Sequence, residues 1–204
     1  MRILCYGDSN TWGYRPVTGG RYTKEERWTG RLAALTGHEI IEEGLNGRTT
    51  VFTDYLEPYR NGLEYAAPCI MSHLPLDLII VMLGSNDAKR RYHVTAPEIA
   101  RGLGEVIRQM RYFCDRKGAS PDILIVSPPM AAIGEDDWDF DSAANEKIKQ
   151  LEPEYERIAE ELGCEFVRAA DYIDDIGADG LHLTAQGHKN LAEGLAAYIE
   201  GREQ

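Results

Sequence analysis

Positive charge is scarce in this sequence. Its 204 residues carry 22 Lys and Arg against 34 Asp and Glu, a formal net charge of −12. Nucleic acid and anionic lipid both require clustered positive charge, so neither is an expected partner. Long apolar runs are missing too. The longest, within 76–83, is far too short to span a bilayer, and no membrane association is expected. The N-terminus passes straight into an apolar segment and a Gly-Asp turn, without the apolar core and small-residue cleavage site of a secretory leader. Cysteine is sparse and scattered. Cys5, Cys69, Cys114 and Cys164 form no Cys-x-x-Cys pair, so no metal or redox motif of that kind exists and no metal ligand is assigned. Cys5 and Cys164 lie in apolar runs and read as buried structural thiols. These absences together describe a reduced, cytoplasmic protein. No Gly-x-Gly-x-x-Gly or P-loop pattern is present, which argues against a nucleotide domain, and no cofactor is expected.

What remains is ordinary for a globular protein: 43% hydrophobic and 27% charged residues. No repeat, low-complexity tract or linker divides the chain, so residues 1–204 read as a single domain. Five short apolar runs bounded by turn residues predict strands at 2–6, 39–42, 77–83, 122–127 and 165–168. The third and fourth are continuous rather than alternating, as befits strands buried on both faces of a parallel sheet. Helical patterns lie between and around them, at 22–35, 62–72, 96–116, 142–162 and 185–199. In the last, Leu191, Leu195 and Tyr198 share one side. Acidic stretches such as 152–161 read as solvated helix faces. This alternation predicts a three-layer α/β/α fold with right-handed crossovers. In such folds the site lies beyond the carboxyl ends of the strands, so the residues just after each strand carry the information.

Those residues are Gly7-Asp8-Ser9-Asn10 after the first strand, Gly44-Leu45-Asn46-Gly47-Arg48-Thr49 after the second and Gly84-Ser85-Asn86-Asp87 after the third. Ser127-Pro128-Pro129 follows the fourth, and a loop with Asp179-Gly180-Leu181-His182 follows the fifth. Acyl transfer needs a nucleophile, a base within reach, a carboxylate to fix the base's tautomer, and donors for an oxyanion. Three serines follow buried strands. Ser127 precedes two prolines, which constrain its backbone and remove N–H donors. Ser85 sits beside an amide and a carboxylate better suited to donating and orienting. Ser9 opens a turn or helix, where a nucleophile and a helix-capping serine look alike. Among five histidines, only His182 follows a carboxylate by three residues in a glycine-containing loop. Asp179 could there accept from Nδ1 and leave Nε2 free. His38, His73, His93 and His188 read as surface or packing residues.

Taken together, the segments resemble the SGNH hydrolases, the GDSL esterase/lipase family, over almost the whole chain. Gly7-Asp8-Ser9-Asn10 matches the block that carries the nucleophile. Gly47 falls where the second block's glycine offers a backbone N–H, Gly84-Ser85-Asn86-Asp87 matches Gly-x-Asn-Asp, and Asp179-Gly180-Leu181-His182 matches Asp-x-x-His. Further stretches, Arg27-Trp28-Thr29-Gly30 among them, look like the arylesterase/acyltransferase subgroup. The resemblance implies a five-stranded parallel, flavodoxin-like sheet. It also implies a catalytic triad of Ser9, His182 and Asp179, and an oxyanion hole formed by Ser9, Gly47 and Asn86. The implied activity is hydrolysis of short-chain, acetyl-type carboxylic esters through an acyl-enzyme, with acyl transfer as a second outlet. The implied partner is a small-molecule ester, and the chain would form a homo-oligomer. Deacetylation of acetylated sugars on the same triad, or a non-catalytic small-molecule or glycan-binding module, are the rival readings. Asp8 and Asp87 read as turn-holding residues. Asn10, Trp12 and Tyr14 are expected to contact substrate, with Trp138 a further candidate wall. Asn10 stands where this subgroup often has leucine, a departure expected to alter the acyl pocket.

Overall fold

The computed structural model describes residues 1–202. Five strands, β1 (Arg2–Gly7), β2 (Glu39–Gly44), β3 (Leu78–Met82), β4 (Asp122–Val126) and β5 (Glu165–Val167), form one parallel sheet in the order β2-β1-β3-β4-β5. The connecting helices are α1 (Ser9–Trp12), α2 (Trp28–Thr36), α3 (Gly62–His73), α4 (Ala96–Asp115), α5 (Ala144–Leu162) and α6 (Ala185–Arg202). Among the described residues no helix is long and apolar enough to cross a membrane.

The continuous apolar runs are explained by burial on both faces. Leu4, Tyr6, Ile79, Val81, Ile123 and Ile125 point into a core closed by α3, α4 and α5. Their neighbours Ile3, Cys5, Leu78, Ile80, Leu124 and Val126 point the other way, into a core closed by α2 and α6. Side chains alternate across a strand, so a strand covered on both faces must be apolar at every position. Each fully buried aliphatic side chain contributes roughly 1.5–3 kcal/mol. On α6, Leu191 and Leu195 are fully buried, and Tyr198 packs beside them. Cys5 is buried as expected, whereas Cys164 is only partly so.

The elements fall where the periodicity places them, with one clear difference. The helix expected over 22–35 starts at Trp28. Residues 23–26 close a separate turn, in which the Glu26 carboxylate accepts from the Thr23 N–H at 2.9 Å. The Trp28 N–H then donates to Nδ1 of the buried His188 at 3.2 Å, so a side chain of α6 fixes where α2 begins.

Because all strands run parallel, their carboxyl ends share one edge. The chain leaves β1 toward β2 on one side and leaves β3 toward β4 on the other, which opens a crevice between the ends of β1 and β3. Close packing at this edge leaves no room for side chains. A Cβ on Gly44 would lie 2.1 Å from the Trp12 backbone nitrogen and 2.6 Å from Thr11 C. Gly44→Ala must therefore push β2 away from α1, and we expect a loss of roughly 1–3 kcal/mol. Urea unfolding should register it as a lower midpoint with an unchanged slope. A wild-type midpoint would contradict the backbone contact.

Candidate active site

Ser9 is the first residue of α1, immediately beyond β1, and only 5% of its surface is exposed. Asp8 holds this turn: its carboxylate accepts from the Asn10 N–H at 2.9 Å. The loop after β5 approaches from the other side. Its residues Ile176 and Leu183 pair across a short antiparallel bridge, and the Gly177 N–H donates to the His182 carbonyl at 2.7 Å. Gly180 has φ of +70°, and a Cβ there would lie 2.1 Å from the Ala132 carbonyl oxygen. A residue with a side chain could not occupy that turn.

These two elements bring Ser9, His182 and Asp179 into one chain of hydrogen bonds. His182 Nε2 lies 2.8 Å from Ser9 Oγ, and His182 Nδ1 lies 2.8 Å from Asp179 Oδ2. The other carboxylate oxygen of Asp179 accepts from the N–H groups of Leu181 and His182, each at 3.0 Å. Burial works to raise the Asp179 carboxyl. The hydrogen bonds from the His182 ring and the two backbone N–H groups outweigh it and hold the group below the usual carboxylate range. An ionised carboxylate at Nδ1 fixes the ring with Nε2 facing the hydroxyl, the arrangement in which an imidazole can draw off a proton. Tyr14 packs its ring against the His182 ring, centroid to centroid 4.4 Å.

Gly47 and Asn86 stand on the neighbouring loops. The Arg48 N–H donates to the Leu45 carbonyl at 3.0 Å, closing a turn whose third residue, Gly47, has φ of +77°. A positive φ at that position is why glycine stands there. The Asn86 side-chain amide donates to the Arg48 carbonyl at 3.2 Å. The Asp87 carboxylate accepts from Thr50 twice, from its N–H at 2.9 Å and from its hydroxyl at 2.5 Å. The loops that carry Gly47 and Asn86 are thereby fastened to each other. Asp8 thus holds its own turn, whereas Asp87 ties two loops together. Both are buried, and burial pushes each carboxyl up to about 6 against the hydrogen bonds that pull it down.

Ser9, Gly47, Asn86, Asp179 and His182 all line one cavity of about 340 Å³, and Tyr14 and Trp138 contribute to its walls. Two of the residues expected to contact substrate lie outside the cavity wall. Asn10 is 1% exposed and is absent from the cavity wall, because its amide turns inward to backbone groups of the 181–183 loop. Trp12 is also outside the wall; the Arg21 guanidinium lies over its ring at 5.3 Å. The sequence reading missed Glu57, Lys89, Ile133, Asp137, Asp139 and Phe140, which also line the cavity. Most belong to the two long connections, 45–61 and 127–143. Their unusual length is the sequence signal that could have pointed to them. Lys89 bridges these connections, with Nζ 2.8 Å from Glu57 and 3.2 Å from Asp139. Of the other serines, Ser127 uses its hydroxyl to accept from the Ala169 N–H at 3.0 Å, joining β4 to the segment after β5.

Two further features lie outside this cavity. A groove of about 550 Å³ beside α2 and α6 is lined by Lys24, Glu25, Arg31, Lys189 and Glu193 among others, and contains no nucleophile paired with a base. The fold also gathers Glu43, Cys69 and His73, whose ligand atoms lie within 4.8 Å of one another, although their spacing in the sequence suggested no cluster. There His73 Nε2 lies 2.8 Å from the Glu43 carboxylate, and burial pushes the Cys69 thiol up to about 12.

Comparison with known proteins gives a consistent result. The model of the GDSL-like lipase/acylhydrolase family matches residues 5–189. Est24, a carbohydrate acetylesterase from Sinorhizobium meliloti, is 39% identical, with a TM-score of 0.92 over 98% of this chain and 99% of that one. The inhibitor-bound aryl esterase of M. smegmatis is 36% identical, with a TM-score of 0.93 over 98% of each chain. An acetylxylan esterase of Xylanibacter ruminicola is 25% identical across 98% of this chain, which spans only 43% of that longer relative.

The buried Asp87 makes stability depend on pH in a definite direction. Its folded-state pKa of about 6 exceeds the roughly 3.9 of an unfolded aspartate. Between those values the folded chain retains a proton that the unfolded chain has lost, so this group's contribution falls as pH rises from about 4 to about 6. Stability measured relative to Asp87→Asn should decline over that window by on the order of 2 kcal/mol. Urea unfolding at several pH values checks this. An increase with pH would mean that the Thr50 donors outweigh burial.

Proposed function

This chain belongs to the GDSL-like lipase/acylhydrolase family, and from that premise we propose that it is a serine esterase acting on short-chain carboxylic esters through an acyl-enzyme. The observation that carries this reading is the unbroken Ser9–His182–Asp179 chain, with 2.8 Å at both links. Nucleophile and base within hydrogen-bond reach, with the base oriented by a third group, is the arrangement that activates a hydroxyl. A module that only binds has no use for it.

In the first step His182 Nε2 takes the Ser9 proton as Oγ forms a bond to the ester carbonyl carbon. The carbonyl π pair moves to oxygen, giving a tetrahedral oxyanion. The N–H groups of Ser9 and Gly47 and the side-chain amide of Asn86 are assigned as its donors. One amide hydrogen of Asn86 is occupied by the Arg48 carbonyl, which orients the group and leaves the second for the oxyanion. As the tetrahedral species collapses, the C–O bond to the leaving alcohol breaks and His182 returns its proton to that oxygen. Water then enters along the same path, loses a proton to His182 and releases the acid. An alcohol entering in place of water would complete an acyl transfer. Asp179 stays ionised throughout and stabilises the imidazolium. The loss of one oxyanion donor typically costs about 3 kcal/mol of transition-state stabilisation.

A second reading, deacetylation of acetylated sugars on the same triad, is favoured by the mouth of the cavity. Trp138 is 81% exposed there, between Asp137 and Asp139. An exposed flat aromatic face suits stacking on a sugar ring, and Est24 is named for carbohydrate esters. Comparing acetylated sugars with aryl and alkyl acetates separates the two readings. Trp138→Ala should raise KM for sugar esters alone if the second is right.

A fluorophosphonate should label Ser9 and abolish p-nitrophenyl acetate turnover, and Ser9→Ala should be inactive. Labelling mapped by peptide mass spectrometry to Ser85 or Ser127 would refute the assignment. Asp179→Asn should lower kcat by roughly 10²–10⁴ with little change in KM, because the amide favours the wrong tautomer of His182. Steady-state kinetics with the ester in excess measures both constants. A wild-type kcat would remove Asp179 from the reaction.

A further inference from the structure

Asn10 occupies the position directly after Ser9, yet its side chain is directed away from the cavity. Its Oδ1 accepts from the Leu183 N–H at 2.9 Å, and its Nδ2 donates to the Leu181 carbonyl at 3.3 Å. These backbone groups flank His182 on either side. The hydrogen-bonding types fix the orientation of the amide, since reversing it would set an oxygen against a carbonyl and an NH₂ against an N–H. The other bonds at this loop do different work. Asp179 accepts from the Leu181 and His182 N–H groups, and the Gly177 N–H donates to the His182 carbonyl, which shapes the loop from within. Asn10 instead reaches across 173 positions of sequence to Leu183 from the residue next to the nucleophile.

We propose that Asn10 is a positioning residue: its amide clamps the peptide groups on both sides of His182 and so sets the distance between the Ser9 hydroxyl and the His182 ring. This rests on the esterase reading of Ser9 and His182 and adds to it. One backbone segment carries both Ser9 and the clamp, so a displacement of the base loop relative to the nucleophile requires breaking two hydrogen bonds, one buried and one partly buried. Leucine has similar volume but can make neither bond. It would leave the Leu183 N–H and Leu181 carbonyl without their partner while filling the same space.

The test is Asn10→Leu, with p-nitrophenyl acetate as substrate. We expect kcat to fall roughly 10–100-fold with KM changed less than about threefold, as when reacting groups are held about an ångström out of place. Fluorophosphonate should still label one equivalent of Ser9, but at a rate reduced in proportion to kcat. Complete labelling reports that the folded site is intact, which separates misplacement from unfolding. A wild-type kcat and labelling rate would overturn the proposal. So would a raised KM at unchanged kcat, which would return Asn10 to the substrate. Hydrogen exchange on the wild-type protein supplies a measurement that does not depend on the variant folding. The Leu183 amide should exchange at least roughly 100-fold more slowly than in an unstructured peptide. Exchange at the peptide rate would mean that the clamp is not made. Ser9→Ala and His182→Ala serve as references. If they stay active the esterase reading itself fails, whereas inactive references with an unimpaired Asn10→Leu enzyme overturn only the clamp.

Discussion

A buried cation, the Arg48 guanidinium, holds the end of β1 against the loop that follows β2. It is 3% exposed, donates to the Gly7 carbonyl at 2.9 Å and to the Glu43 carbonyl, and lies over the Tyr6 ring at 4.3 Å. The Leu45 N–H reaches the same Gly7 carbonyl at 3.1 Å. Ser9 begins two residues after Gly7, and Gly47 immediately precedes Arg48. One side chain therefore fixes the strand that leads to Ser9 relative to the glycine turn, and its own carbonyl receives the Asn86 amide. Arginine suits this role because its planar fork donates in two directions while its face stacks on an aromatic ring. Charge-assisted bonds to carbonyls also offset much of the cost of taking the cation out of water.

The carboxylates around the site are treated in two opposite ways. Asp8 and Asp87 are fully enclosed and accept hydrogen bonds that hold the loops, and burial raises both carboxyls to about 6. Asp179 is more accessible and meets three donors, so it stays ionised. The difference follows from the surroundings. Three donors favour the charged form of Asp179, whereas a buried carboxyl that accepts hydrogen bonds retains acceptor capacity in either form. The fold thus raises the two enclosed acids and lowers the one beside His182.

The walls of the cavity come from segments without regular structure. The 45–61 and 127–143 connections meet over the sheet edge, tied by Lys89 to Glu57 and Asp139 and by Arg91 to Asp54 and Asp139 at 3.1 Å and 2.7 Å. Glu57, Lys89 and Asp139 of this network line the cavity together with the exposed Trp138. The sheet and its turns hold Ser9, Asn86 and His182, and these loops shape the cavity in front of them. Variation in the loops can change the ester accepted without disturbing the hydrogen bonds beneath.

The sequence by itself determined the layers and the order of the reactive turns. Residues 78–82 and 123–126 are apolar at every position, and only a strand covered on both faces requires that. Ser9, Asn86 and the pair Asp179 and His182 follow strands whose ends must share an edge, so their convergence was legible once the sheet was recognised as parallel. The directions in which side chains turn at that edge were not legible. Asn10 and Trp12 lie beside Ser9 in sequence, yet one is claimed by the 181–183 backbone and the other lies under Arg21. His73 finds its acid in Glu43, thirty positions earlier, and Trp28 begins its helix because His188 accepts its N–H. Periodicity reports which face of an element is buried. It carries no information about which distant donor or acceptor arrives at that face, and that was decided only when the loops packed together.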